Sequence, residues 1–141
     1  MKDLEAGETL AAYIDGGSRV NPGPAGVGVY FPDLVSISEY LGTQTNNFAE
    51  YSALISAVQF AASRRCARLK IYSDSELVVK QVRGEYKVRN ENLRPLYERA
   101  IGWIRLIPEF SIEHVRREFN KDADRLANDA MDAKGHAVTW D

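Results

Sequence analysis

A chain of 141 residues fits one compact domain with room for a sizeable core and none for a second domain; its 45% apolar and 27% charged content is that of a folded protein. The single Cys66 excludes an internal disulfide, no apolar run is long enough to cross a bilayer, and no basic-then-apolar leader opens the chain, so a cytoplasmic protein with no membrane partner is expected. A net charge of −2 argues against a broadly basic polyanion binder, although Lys80, Arg83, Lys87, Arg89 and Arg94 form one basic run and Arg116, Arg117, Lys121 and Arg125 another, each readable as a solvated helix face.

In chain order, Ala11 to Ile14 reads as a short strand ended by Asp15-Gly16-Gly17-Ser18 and the turn-rich Asn21 to Pro24. Gly26 to Phe31 and Leu34 to Leu41 follow as strands, and the short connections predict an antiparallel meander. From Asn47 to Arg64 the period changes: Phe48, Tyr51, Leu54, Ile55, Val58 and Ala62 recur three and four apart on one helical stripe, with Asn46 or Asn47 as its cap. Leu69 to Ser73 returns to a strand, Glu76 to Arg83 is a short helix closed by Gly84, and Asn92 to Leu106 is a longer one with Pro95 in its first turn. Phe110 to Val115 is a strand by alternation, and Lys121 to Ala133 is the last helix. Residues 1–10 and 135–141 carry no assignment. The order β-β-β-α-β-α-α-β-α predicts an α/β domain spanning 1–141, a mixed sheet covered by helices, with its core in 11–133.

Four carboxylates stand where strand and helix ends meet. Asp15 closes the first strand and Asp74 the fourth, while Glu50 and Asp124 fall in the first turns of the long and last helices. Each has an ordinary structural explanation: Asp15-Gly16 is a common turn pair, Ser73 to Glu76 fits a capping box, and acidic residues suit helix N-termini. Converging together without cations, however, the four would repel and raise one another's pKa. A pair of hard divalent ions relieves that, and two metals about 4 Å apart suit in-line phosphoryl displacement. Oxygen-only ligands fit Mg²⁺ or Mn²⁺ and not a structural zinc.

The strings Tyr13 to Ser18 (YIDGGS), Thr45 to Tyr51 (TNNFAEY), Ile71 to Ser75 (IYSDS) and Asn120 to Asn128 (NKDADRLAN) lie in an order and spacing that resemble ribonuclease HI, the type 1 ribonuclease H family. The resemblance implies a ribonuclease H-like fold: a five-stranded mixed sheet of order 3-2-1-4-5, flanked by helices. It also implies an endonuclease that cuts the RNA strand of RNA–DNA hybrids with two Mg²⁺ ions, Mn²⁺ substituting, and leaves 5′-phosphate and 3′-hydroxyl ends. Asp15, Glu50, Asp74 and Asp124 would hold the metals, with Asp15 bridging both ions.

By the same resemblance, Gly16, Gly17 and Ser18 would let the backbone approach the hybrid's minor groove, where 2′-hydroxyls mark the RNA strand. Asn46 and Asn47 look like groove contacts as well as helix caps, and Gln81 would reach a base edge or sugar. Some relatives carry a long basic protrusion or a separate hybrid-binding domain that this chain has no room for, so salt-sensitive hybrid binding and a monomer are expected. The loop before the last helix often holds a histidine in relatives; here it reads Arg116-Arg117-Glu118-Phe119, leaving Arg117 to face the phosphate. The only histidines are His114, placed by alternation on the packed face of its strand, and His136 in the tail. Two other readings stay open: a nuclease for double-stranded RNA or DNA using the same groove, and a binding module that kept the fold without the chemistry.

Overall fold

Alternating buried and half-buried side chains over Thr9–Ser18 build strand β1 of the computed structural model, which describes residues 7–141. The alternation buries Leu10, Ala12 and Ile14 on one face and leaves Tyr13 and Asp15 on the other. Strands β2 (Gly23–Phe31) and β3 (Val35–Gln44) continue as an antiparallel meander, with Asp15 opposite Gly28 and Val29 opposite Ile37. On the other side of β1, β4 (Arg68–Ser73) pairs in parallel with Ile14 opposite Ser73, and β5 (Glu109–His114) lies parallel beside β4.

This is the expected 3-2-1-4-5 sheet with one addition. The tail contributes β6 (Ala137–Trp140), antiparallel to β3, so the order is β5-β4-β1-β2-β3-β6. All four β6 residues are exposed, so no alternation marks the strand in the sequence; the open edge of β3 recruits it, and the Trp140 ring lies 5.6 Å from that of Phe60.

Helix α1 (Asn46–Ser63) crosses one face of the sheet. Its Ala49, Ala53, Ala57 and Ala61 recur every four residues as a buried small-residue stripe, which lets backbone approach backbone. At Gly16 the approach is so close that a Cβ would strike the Ala49 carbonyl and come within 2.6 Å of the Glu50 nitrogen. Helices α2 (Glu76–Val82) and α3 (Arg94–Ile104) also lie against α1, which is therefore apolar on more than one side. Helix α4 (Lys121–Ala133) takes the opposite face, seated on Gly26 and Gly28; a Cβ on Gly28 would strike the Ala123 carbonyl and lie 2.7 Å from the Ala127 nitrogen. Between sheet and α1, Ile14, Val27, Phe31, Tyr51, Leu54 and Ile71 are almost wholly buried.

Several local expectations change. Strand β1 does not end at Asp15 but runs on through Gly16, Gly17 and Ser18, because these residues pair with Val27, Gly26 and Ala25. The cap of α1 is Thr45, whose Oγ1 accepts from the Phe48 N–H at 3.1 Å, and not Asn46 or Asn47; Glu50 consequently falls beyond the first turn. The cap of α2 is Ser75, accepting from the Val78 N–H, while Ser73 Oγ accepts from the Ser75 N–H; the anticipated Ser73–Glu76 box does not form.

Candidate active site

Parallel pairing of β1 with β4 sets Asp15 beside the chain that leaves β4 at Asp74, and the glycine contact under Ala49 brings Glu50 of α1 to the same edge. One carboxylate oxygen from each of Asp15, Glu50 and Asp74 lies within 4.8 Å of the others. The Gly16 N–H donates to Glu50 Oε1 at 3.0 Å, so the glycine that admits the helix also orients its carboxylate. Asp124 arrives from the opposite face. Gly28 stands opposite Asp15 in register and has no side chain, so the first turn of α4 descends and brings the Asp124 carboxyl up to that of Asp15.

The electrostatics follow from this crowding. Burial pushes the Asp15 carboxyl up to about 8, helped by the charge of Asp74 and by contact with Asp124. Burial also raises Glu50 well above its ordinary range, helped by Asp15 and Asp74 and opposed by the Gly16 N–H and the Arg117 guanidinium. A cluster that holds protons so tightly has a strong electrostatic demand for cations. Its donors are all carboxylate oxygens, which suit a hard divalent ion.

These four acids line a cavity of about 370 Å³ together with Gly16, Gly17, Ser18, Asn46 and Arg117. A Cβ on Gly17 would meet only Asn46 Oδ1, at an ordinary 3.8 Å, while Gly16, packed beneath α1, has no room for a side chain and lines the cavity with its backbone. Asn46 Oδ1 accepts from the Ser18 N–H at 2.8 Å and the Ser18 hydroxyl at 3.1 Å, tying the rim of β1 to α1. Asn47 is not in this cavity. It faces a separate, amide-rich hollow of about 550 Å³ with Asn21, Gln44, Thr45, Asn90 and Asn92.

Two expectations are corrected. Gln81 is buried, accepts from the Tyr51 hydroxyl at 2.6 Å and donates to the Lys87 carbonyl, so its amide is used inside the fold and is withdrawn as a substrate contact. His114 is exposed at the end of β5, because the sheet face that covers Ile112 runs out one residue pair later. Two residues went unremarked in the sequence. Arg19 lines the cavity and pairs with Asp132 of α4 at 2.6 Å, and Asn120 donates to both the Ile14 carbonyl and Asp74. Arg19 follows directly on a matching string and Asn120 opens another, but neither has a local pattern to distinguish it from a surface residue.

A family model described as "Reverse transcriptase-like" matches residues 14–130. Ribonuclease HI of Halobacterium salinarum is 38% identical over 133 residues, covering 91% of this chain and 67% of that protein. A bifunctional protein of Mycobacterium tuberculosis is 41% identical over 133 residues; there the match takes in 90% of this chain and only 36% of the relative's length. Among solved structures, the crystal structure of Halobacterium salinarum RNase H1 superposes with a TM-score of 0.84 at 39% identity, covering 89% of this chain and 98% of that one. The crystal structure of LC11-RNase H1 in complex with RNA/DNA hybrid does so with a TM-score of 0.82 at 37% identity, with the same coverage. With sequence and fold agreeing over a stretch that holds all four carboxylates, the chain belongs to the ribonuclease HI family.

Proposed function

We propose that this chain hydrolyses the RNA strand of RNA–DNA hybrids, with Mg²⁺ held by Asp15, Glu50, Asp74 and Asp124. The observation that carries the reading is the convergence of Asp15, Glu50 and Asp74 oxygens within 4.8 Å in one open cavity, where crowding and burial raise the Asp15 and Glu50 carboxyls. The substrate reading is supported by a 37% identical relative solved with an RNA/DNA hybrid.

When bound, divalent ions supply Lewis-acid polarisation of the scissile phosphate and a more acidic attacking water. The chain's own groups do the rest. Asp15, between Asp74 and Asp124, would hold metal together with them, and Glu50, oriented by the Gly16 N–H, would complete the set. Gly16, Gly17 and Ser18 line the rim with little side-chain bulk, suited to the shallow minor groove of a hybrid, where the 2′-hydroxyl separates RNA from DNA. Asn46 stiffens that rim, and Asn47 lines the neighbouring hollow with amides suited to sugar or phosphate oxygens of the partner strand. Arg117 keeps a permanent positive charge beside Glu50, suited to a phosphate oxygen and unable to serve as a base. Hydrolysis breaks the bond from phosphorus to the 3′ oxygen, leaving 5′-phosphate and 3′-hydroxyl ends.

The same reading has residues 1–141 acting as one ribonuclease H domain and as a monomer. A cytoplasmic place of work goes with the buried free thiol of Cys66; among the described residues no helix is long and apolar enough to cross a membrane. The test is incubation of end-labelled hybrid, RNA duplex and DNA duplex with the protein and Mg²⁺, with and without chelator. Chelator-sensitive cutting of the hybrid's RNA strand is expected; equal cutting of all three duplexes, or cutting that survives chelation, would overturn the reading.

A further inference from the structure

Asn120 precedes α4 and is 1% exposed. Its Nδ2 donates to the Ile14 carbonyl at 2.8 Å and to Asp74 Oδ2 at 3.3 Å. A backbone carbonyl can only accept and an ionised carboxylate can only accept, so the amide has one workable orientation; turned over, it would set Oδ1 against two oxygens. In that orientation Oδ1 is buried without a hydrogen-bond partner among the described residues. A side chain serving only to link helix to sheet has no reason to strand a buried acceptor. One that must aim a donor at a carboxylate does.

Three of the four acids meet at this residue. The carbonyl it holds belongs to Ile14, immediately before Asp15; Asp74 accepts from it directly; and its own carbonyl accepts from the Asp124 N–H at 3.1 Å in the first turn of α4. Asn120 itself does not line the carboxylate cavity; the hollow it borders is a separate one beside Tyr13, Tyr30 and Phe119, so it reaches the carboxylate cavity through these neighbours.

We infer that Asn120 is a positioning residue: its Nδ2 locks the Asp74 carboxylate to β1, so that Asp15 and Asp74 present their oxygens to a divalent ion already in place. The inference rests on the metal reading of the cavity. Its test is calorimetric titration of Mn²⁺ into the full chain, comparing wild type with Asn120→Ala and Asn120→Leu, the latter refilling the space without a donor. Ser38→Ala is the control, because the buried Ser38 hydroxyl donates to the Leu126 carbonyl of α4 and loosens that helix without touching a carboxylate.

Loss of a hydrogen bond that orients a metal ligand typically weakens metal binding about 10–100-fold, and that loss is expected for both Asn120 variants. Ser38→Ala should lower the melting temperature yet bind Mn²⁺ as wild type does. Should Asn120→Ala not fold, Asn120→Leu carries the same comparison. Wild-type Mn²⁺ affinity in a folded Asn120 variant would overturn the inference and leave the metal reading intact. A wild-type chain that takes up no Mn²⁺ would sink the metal reading, and this inference with it.

Discussion

Asp15 keeps its proton up to about pH 8 in the folded chain, against an ordinary value of 3.8. Between those two values the folded state binds more protons than the unfolded one, so the stability of metal-free protein should fall as pH rises through that window. Urea midpoints at its two ends check this: the alkaline end should unfold at lower urea, and Asp15→Asn should remove much of the difference. A flat profile would show that the crowding is relieved in solution. Added Mn²⁺ should stabilise more at the alkaline end, where fewer protons have to leave. In the same Asp15→Asn variant hybrid cleavage should fall about a thousandfold or more, the worth of several kcal/mol of lost transition-state stabilisation, while the fold survives because volume hardly changes. Cleavage near the wild-type rate would mean that Asp15 holds no ion. His114 and His136 lie outside the carboxylate cavity, whereas Arg117 lines it. The double variant His114→Ala/His136→Ala should therefore cut within about tenfold of wild type and Arg117→Ala should lose more; a loss of about 10²–10⁴-fold in the double variant, rescued by imidazole, would reveal an imidazole proton carrier.

At the scale of elements, the site is assembled by glycines that let helices settle onto β1 and β2. Gly28 has the Ala123 carbonyl against it and the Ala127 nitrogen 2.7 Å from where a Cβ would be. Gly28→Ala must lift α4, and overpacking of this kind costs about 1–3 kcal/mol. Because α4 carries Asp124 down to Asp15, the folded variant should also cut slowly at saturating hybrid. Urea unfolding and single-turnover rates would read the two effects, and wild-type values in both would show that α4 does not need this seat. The helix starts teach the same lesson about local and non-local information. Thr45, Asn46 and Asn47 are all competent caps; the extended backbone of Thr45 (φ −83°, ψ 163°) decides among them, and the meander that delivers the chain there sets that backbone.

Across the whole molecule, the carboxylates sit where β1, β4, α1 and α4 meet, while β6 is on the far edge beyond β2 and β3. Removing residues 136–141 should accordingly strip the β3 edge and the Trp140–Phe60 contact and lower the melting temperature by about 3–8 °C. Hybrid cleavage at a temperature where the truncated chain stays folded should be unchanged. A truncated chain that folds and melts normally yet no longer cuts would show that the tail takes part in substrate binding.

The sequence by itself determined what short periods and short strings can carry. The alternation of Phe110 to Val115 and the three-and-four spacing of Tyr51, Leu54, Ile55 and Val58 were enough for a mixed sheet covered by helices, and four strings in order, through the resemblance they carry, for the five-strand topology and the short list of acids. Tertiary structure alone decided which side chains share space. Gly16 proved to be a seat for α1, and Gln81 was spent on Tyr51. The edge of β3 turned four exposed residues into β6. Asn120 was joined to Ile14 across 106 positions of chain. Local periodicity reports the face a residue turns and nothing about what meets that face, because partners so distant in sequence are chosen by packing of the whole sheet and its helices.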